Sequence, residues 1–178
     1  MFFRVMLMIF IVLISADANM YKNVINSYKN KDYQYACNHG KRIFWKINKG
    51  SFTAIVGDAC ARVDNINILG DIIKHLNKNR ADRINASYFA TLILEKKLIY
   101  QFMNDGINLS NLSLPKTQNI LSRVFDALVL KKYTVKNKKL KITDGNYSYV
   151  LWLSNDKPKK LYIYEYKNNK LIKRHWYR

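Results

Sequence analysis

Acidic residues are scarce in this chain. Of 178 residues only 12 are Asp or Glu, and just two of those, Glu95 and Glu165, are glutamates. Paired carboxylates for general acid–base work are therefore hard to assemble. Histidine is scarcer still: His39, His75 and His175 fall on separate segments without metal-ligand spacing, which leaves no zinc constellation. Cys37 and His39 are two apart, so on one helix they point to different faces and form no catalytic dyad. G-x-S-x-G, P-loop, HExxH and EF-hand patterns are absent. Asp64, Asp71 and Asp82 read as capping and surface residues. The expectation is a non-enzymatic protein with no catalytic residues, no cofactor and no metal.

Against the few acids stand 31 Lys and Arg, for a formal charge of +19. That balance has two readings. It fits an anionic partner such as nucleic acid, acidic lipid, an acidic polymer or an acidic protein face. It also fits a low-GC genome, whose codons favour Lys, Asn, Ile and Tyr throughout.

Long apolar runs are missing too. Val5 to Ile14 is unbroken, with Arg4 before it and Ala16-Asp17-Ala18 after it. A membrane-spanning helix needs about 20 apolar residues, whereas this run suits a signal peptide with an A-x-A cleavage site. Residues 1–18 are expected to be removed, leaving no transmembrane segment; an uncleaved anchor or a buried first helix are the alternatives. No cysteine sits at the cleavage point, where residue 19 is Asn, which argues against a lipoprotein. Export points to the periplasm of a Gram-negative bacterium and demotes intracellular nucleic acid as a partner.

Only two cysteines remain, Cys37 and Cys60, equidistant from the turn signal Asn48-Lys49-Gly50. The pattern predicts a helix over 32–47 with Tyr33, Ala36, Cys37, Gly40, Phe44 and Ile47 on one face. A second, over 51–63, carries Phe52, Ile55, Val56, Ala59, Cys60 and Val63. Ser51 is its expected N-cap. Helices joined by a short turn pack antiparallel, so residues equidistant from the turn meet at one height. An oxidising compartment then makes Cys37–Cys60 a disulfide staple, with two buried thiols as the alternative. A third helix carries Leu69, Ile72, Ile73 and Leu76. A fourth, about 81–104, is apolar on more than one face and fits a position between neighbours.

Asn30-Lys31-Asp32-Tyr33-Gln34-Tyr35-Ala36 resembles the turn and second-helix start of a tetratricopeptide or Sel1-like repeat. Val56-Gly57 with Cys60 then resembles the first helix of the next repeat. Ala36 and Leu69 become equivalent, 33 residues apart, close to the family period of about 34. The resemblance covers residues 20–104. Leu69 departs from the expected small residue, Cys60 from the aromatic, and the repeat-closing Pro is absent. The resemblance implies a stack of helical hairpins that presents ridges to other proteins. By analogy it also implies a role like that of small periplasmic accessory proteins of flagellar motors and other large envelope assemblies.

Beyond Gly106 the reading changes. Ser113 and Pro115 look like the start of a helix with Ile120, Val124, Ala127 and Leu128 on one face. The period then drops to two, with turns at Asp144-Gly145-Asn146, Asn155 to Pro158 and Asn168-Asn169. About four strands are expected, with Tyr133 to Val135 as a candidate start of the meander. The fold class is α+β: N-terminal antiparallel helical hairpins over 19–106, a loop and connecting helix over 107–132, and a C-terminal antiparallel β-meander over 133–178.

Two candidate sites lie in the meander. Tyr162, Tyr164 and Tyr166 share one sheet face, and Arg174 and Trp176 alternate with His175 on the next strand. That face fits a protein partner or a sugar, or else the packing of the helix before the sheet. Asp144-Gly145-Asn146-Tyr147-Ser148 resembles the extended acceptor site of bacterial periplasmic N-glycosylation, with Asn146 as the candidate. The other reading is a plain hairpin turn. The expected function is a scaffold that binds a protein in the periplasm. A binder of an anionic polymer (peptidoglycan or DNA) and a periplasmic enzyme or chaperone are the alternatives.

Overall fold

The computed structural model describes residues 19–178; the signal peptide expected over 1–18 lies outside the described residues. The architecture is α+β: among the described residues six helices are followed by a five-stranded antiparallel sheet. Its contacts divide the chain after Ala86 into two compact units.

The first unit begins with α1 (residues 19–29), α2 (Tyr33–Ile47) and α3 (Gly50–Arg62). Asp32 caps α2, its Oδ1 accepting from Tyr35 N–H at 3.0 Å, and the helix ends on Asn48 in the left-handed region (φ 51°). Only Lys49 then separates Asn48 from α3. Ser51 is not the N-cap: α3 already starts at Gly50, behind a Lys49 cap that makes no side-chain bond. The buried Asp82 carboxylate occupies the place where a Gly50 side chain would stand. A carboxylate there opposes the positive end of the helix dipole, and only glycine leaves it room.

Across the hairpin, Ala36, Cys37, Gly40, Ile43 and Phe44 of α2 are buried, as are Phe52, Val56, Ala59 and Cys60 of α3. Cys37 and Cys60 are joined by a disulfide, their Cα atoms 4.7 Å apart. Asp58 ties α1 to α3. Tyr28 O–H and Arg62 Nε both donate to its Oδ2 at 2.6 Å, and Arg62 lies over the Tyr33 ring at 4.8 Å. Burial, and then the bond to Asp58, pushes the Tyr28 phenol up to about 12. A short 3-10 turn (Ile66–Ile68) leads into α4 (Leu69–Lys74). Helix α5 (Arg80–Asp105) spans the division between the units.

In the second unit α6 covers Ile120–Val129. It starts later than Ser113 and Pro115 suggested. Asn119 is the N-cap, its Oδ1 accepting from Leu121 N–H at 3.0 Å, and the stretch before it is irregular. The strands are β1 (Tyr133–Lys136), β2 (Lys139–Asp144), β3 (Tyr147–Leu153), β4 (Leu161–Lys167) and β5 (Lys170–Tyr177), in that order across the sheet. Asn137-Lys138 and Asn168-Asn169 close two hairpins with positive φ at both central residues, the geometry that matches strand twist.

Alternation sorts the strand residues onto two faces. Leu140, Ile142, Tyr149, Leu151, Leu161, Ile163, His175 and Tyr177 are buried on the inner face. Helices α5 and α6 meet that face: Phe102 lies edge-on to Tyr133 at 5.7 Å, and Arg123 donates to the Tyr149 hydroxyl at 3.3 Å. Between these helices Glu95 is 1% exposed. Its Oε1 accepts from Ser122 Oγ at 2.5 Å, and Ser122 Oγ shares a second bond with Thr117.

Candidate partner-binding face

With the inner face committed to the core, the residues of opposite parity turn away from it. The register sets them in rows. In one row Lys136 pairs with Lys139, and Trp152 pairs with Tyr162, which pairs with Trp176. In the next, Thr134, Lys141, Val150, Tyr164 and Arg174 face one another in succession across all five strands. A third holds Thr143, Ser148 and Tyr166.

The expected residues Tyr162, Tyr164, Tyr166, Arg174 and Trp176 thus do share a face, and it is not the one that packs on α6. Tyr162, Tyr164 and Tyr166 are half-buried by their neighbours. Trp176 is 53% exposed. His175, between Arg174 and Trp176, turns inward and sits 3.6 Å from Glu165.

The face is an aromatic sheet trimmed with cations. Trp152 stacks on Tyr162 with ring centroids 5.3 Å apart and 13° between planes, and meets Tyr164 edge-on at 4.4 Å. Lys139 Nζ lies 5.2 Å from the Trp152 centroid, Arg174 lies 5.3 Å from Tyr164, and Lys160 Nζ lies 5.6 Å from Trp176. Each such contact contributes about 0.5–1 kcal/mol at an exposed site, a modest bias of the cation heads toward the rings. Among the described residues, no strand residue of this parity is Asp or Glu, because Asp144 and Glu165 have the inner parity. Asp156, in the loop between β3 and β4, pairs with Lys160 at 3.2 Å on the margin.

Sequence reasoning missed Trp152, Lys139 and Lys141, which complete the face from β2 and β3. The signal was present in YSYVLWLS, where Tyr149 and Leu151 alternate with Val150 and Trp152, but joining it to β4 requires the cross-strand register. Asn146 is exposed in the turn between β2 and β3, and its carbonyl accepts from Asn168 N–H at 2.8 Å. The other three sequons differ. Asn85 lies inside α5, Asn108 spends its side-chain oxygen on Ser110, and Asn111 lies in an exposed loop without an acid two residues before it.

A cavity of about 400 Å³ lies elsewhere in this unit, lined by Lys96, Lys97, Tyr100, Asp105, Lys159 and Arg178. Lys96 Nζ already donates to the main-chain oxygen of Arg178 at 2.7 Å and Lys159 Nζ to Asn104 Oδ1 at 2.9 Å. Glu95, the acid that burial perturbs most plainly, does not line it. Among the described residues no group of three His, Cys, Asp or Glu is placed to hold a metal ion, and no helix is long and apolar enough to cross a membrane. Comparison with protein-family models, with curated proteins and with solved structures gives no match.

Proposed function

We propose that this chain is an exported, non-enzymatic interaction module of the bacterial envelope, acting in the periplasm and holding a protein partner on the outer face of its sheet. The observation that carries the reading is the five-ring aromatic surface of Trp152, Tyr162, Tyr164, Tyr166 and Trp176, turned away from the core and bordered by Lys139, Lys141 and Arg174. Large aromatics and arginine are the usual anchors of protein interfaces. The helical hairpins of the first unit support a scaffold role of the kind that tetratricopeptide-like proteins play in flagellar motors and related assemblies. Export rests on the segment Val5 to Ala18, and the Cys37–Cys60 disulfide agrees with an oxidising compartment.

The test is crosslinking from intact cells with a photoreactive residue at position 176, compared between the wild-type background and Tyr164→Ala. A defined adduct that weakens with the tyrosine supports the reading; adducts indifferent to it remove this face from consideration. A second reading, a binder of an anionic polymer such as peptidoglycan or DNA, draws on the same cations. It predicts binding that collapses with added salt while aromatic variants stay normal.

A further inference from the structure

We infer that the outer face of the sheet takes an extended acidic polypeptide segment, its carboxylates pairing with Lys139, Lys141 and Arg174 and its backbone lying over the rings between them. This deepens the reading above and rests on it, since it names the chemistry of the partner for the same surface.

The choice among anionic partners follows from which ring surfaces are open. Nucleic-acid bases bind such sheets by stacking on free aromatic faces. Here several of those faces already carry a neighbour. Trp152 and Tyr162 stack on each other, Lys139 lies over Trp152, Arg174 over Tyr164 and Lys160 over Trp176. Between the rings the surface offers charged N–H groups. Those suit carboxylates, which accept from Lys and, in bidentate fashion, from Arg. Because Lys139 and Arg174 rest against rings, less of their side-chain freedom is lost on binding.

Spacing points the same way. Lys139 and Lys141 are alternate residues of one strand, about 7 Å apart along it. Same-face side chains of any extended peptide repeat at that interval. Lys141 and Arg174 belong to one row on either side of Val150 and Tyr164, about 14 Å apart across three strand spacings, so a segment that crosses the strands sets apolar side chains between its two carboxylate contacts. The lack of Asp and Glu on the face removes like-charge repulsion that would otherwise discriminate against an acidic partner.

The experiment uses the oxidised chain from Asn19 onward with two labelled probes of about equal charge, a poly-L-glutamate of about 20 residues and an oligothymidylate, followed by fluorescence anisotropy near physiological salt, where only charges within about 8 Å act strongly. One variant reverses the face (Lys139→Glu, Lys141→Glu, Arg174→Glu). A charge-matched control reverses Lys22, Lys29 and Arg42 of the first unit, and circular dichroism checks that both fold. Polyglutamate should bind more tightly than the oligonucleotide, and face reversal should weaken it at least about tenfold against less than about threefold for the control, a gap of more than about 0.7 kcal/mol. Equal losses in the two variants would mean that diffuse charge binds the probe, which ends the inference. Tighter oligothymidylate binding that only face reversal destroys would end it too, yet leave the face standing as the binding surface. Polyglutamate affinity unchanged by face reversal would sink both the inference and the placement of the site.

Discussion

Cγ2 of Val56 lies 2.5 Å from the point where a Cβ on Gly40 would stand. Gly40 belongs to the buried face of α2 with Ala36 and Cys37, and Val56 to that of α3 with Cys60. The two helices therefore approach more closely than an ordinary side chain at position 40 permits. Gly40→Ala gains about 1 kcal/mol of helix propensity but forces Val56 to move, and overpacking of a filled core costs about 1–3 kcal/mol. The expected net result is a lower melting temperature. Adding Val56→Ala should reverse part of the loss by making room. An unchanged or higher melting temperature in the single variant would show that the hairpin has slack.

The disulfide acts on the same hairpin through the unfolded chain. It closes a separation of 23 residues, for which loop-closure entropy gives about 3 kcal/mol. Cys37→Ala with Cys60→Ala should therefore lower the urea midpoint while far-UV circular dichroism at low urea stays helical, because the apolar faces remain. Thiol titration of the unreduced wild-type protein should find no free thiol. Quantitative reaction of both cysteines would contradict the pairing.

How much of this was legible depends on how local each cause is. The hairpin could be read because its period is helical and its cysteines are equidistant from a turn. The sheet could be read because Tyr162, Tyr164 and Tyr166 alternate. Helix starts were harder. Pro115 and Ser113 carry the right composition, yet Asn119 makes the cap that counts. Ser51 is not the cap because α3 already begins at Gly50, where the carboxylate of Asp82, more than 30 residues away in sequence, fills the space of a side chain. Trp152, Lys139 and Lys141 joined the candidate face only through strand register, which sets neighbours across the sheet and leaves no trace within one strand's own sequence.

Glu95 makes stability depend on pH in a definite direction. Burial pushes its carboxyl from the ordinary 4.5 up to about 7; the Ser122 bond opposes this and the Asp126 charge adds to it. A raised folded-state value means the folded chain keeps a proton that the unfolded chain has released. Below about pH 4.5 both states are protonated and nothing is lost. Between about 4.5 and 7 stability falls as pH rises, by up to about 3 kcal/mol, and the cost then stays constant. Glu95→Gln should flatten this slope, raising the melting temperature at pH 8 by several degrees and leaving it nearly unchanged at pH 4.5. Parallel pH profiles for wild type and variant would show that Glu95 is not the group responsible.

The two faces of β3 and β4 should answer differently to the same substitution. Tyr149 is fully buried on the inner face, its hydroxyl accepting from Arg123. Tyr149→Ala removes a large core side chain, a change that costs about 3–5 kcal/mol, and it also strands the Arg123 bond. Tyr164 is only half-buried on the outer face, where its contacts are the edge of Trp152 and the Arg174 guanidinium. Losing one aromatic pair and one exposed cation–π contact should cost about 1–2 kcal/mol. Urea melts should therefore show Tyr149→Ala poorly folded or unfolded and Tyr164→Ala folded with a modestly lower midpoint. That difference makes Tyr164→Ala usable in binding experiments, since a loss of partner binding in a folded variant then reports on the surface. Comparable destabilisation by the two substitutions would mean that the outer face is buried in the working protein. The aromatic rows would then be core, and the site would have to be sought elsewhere.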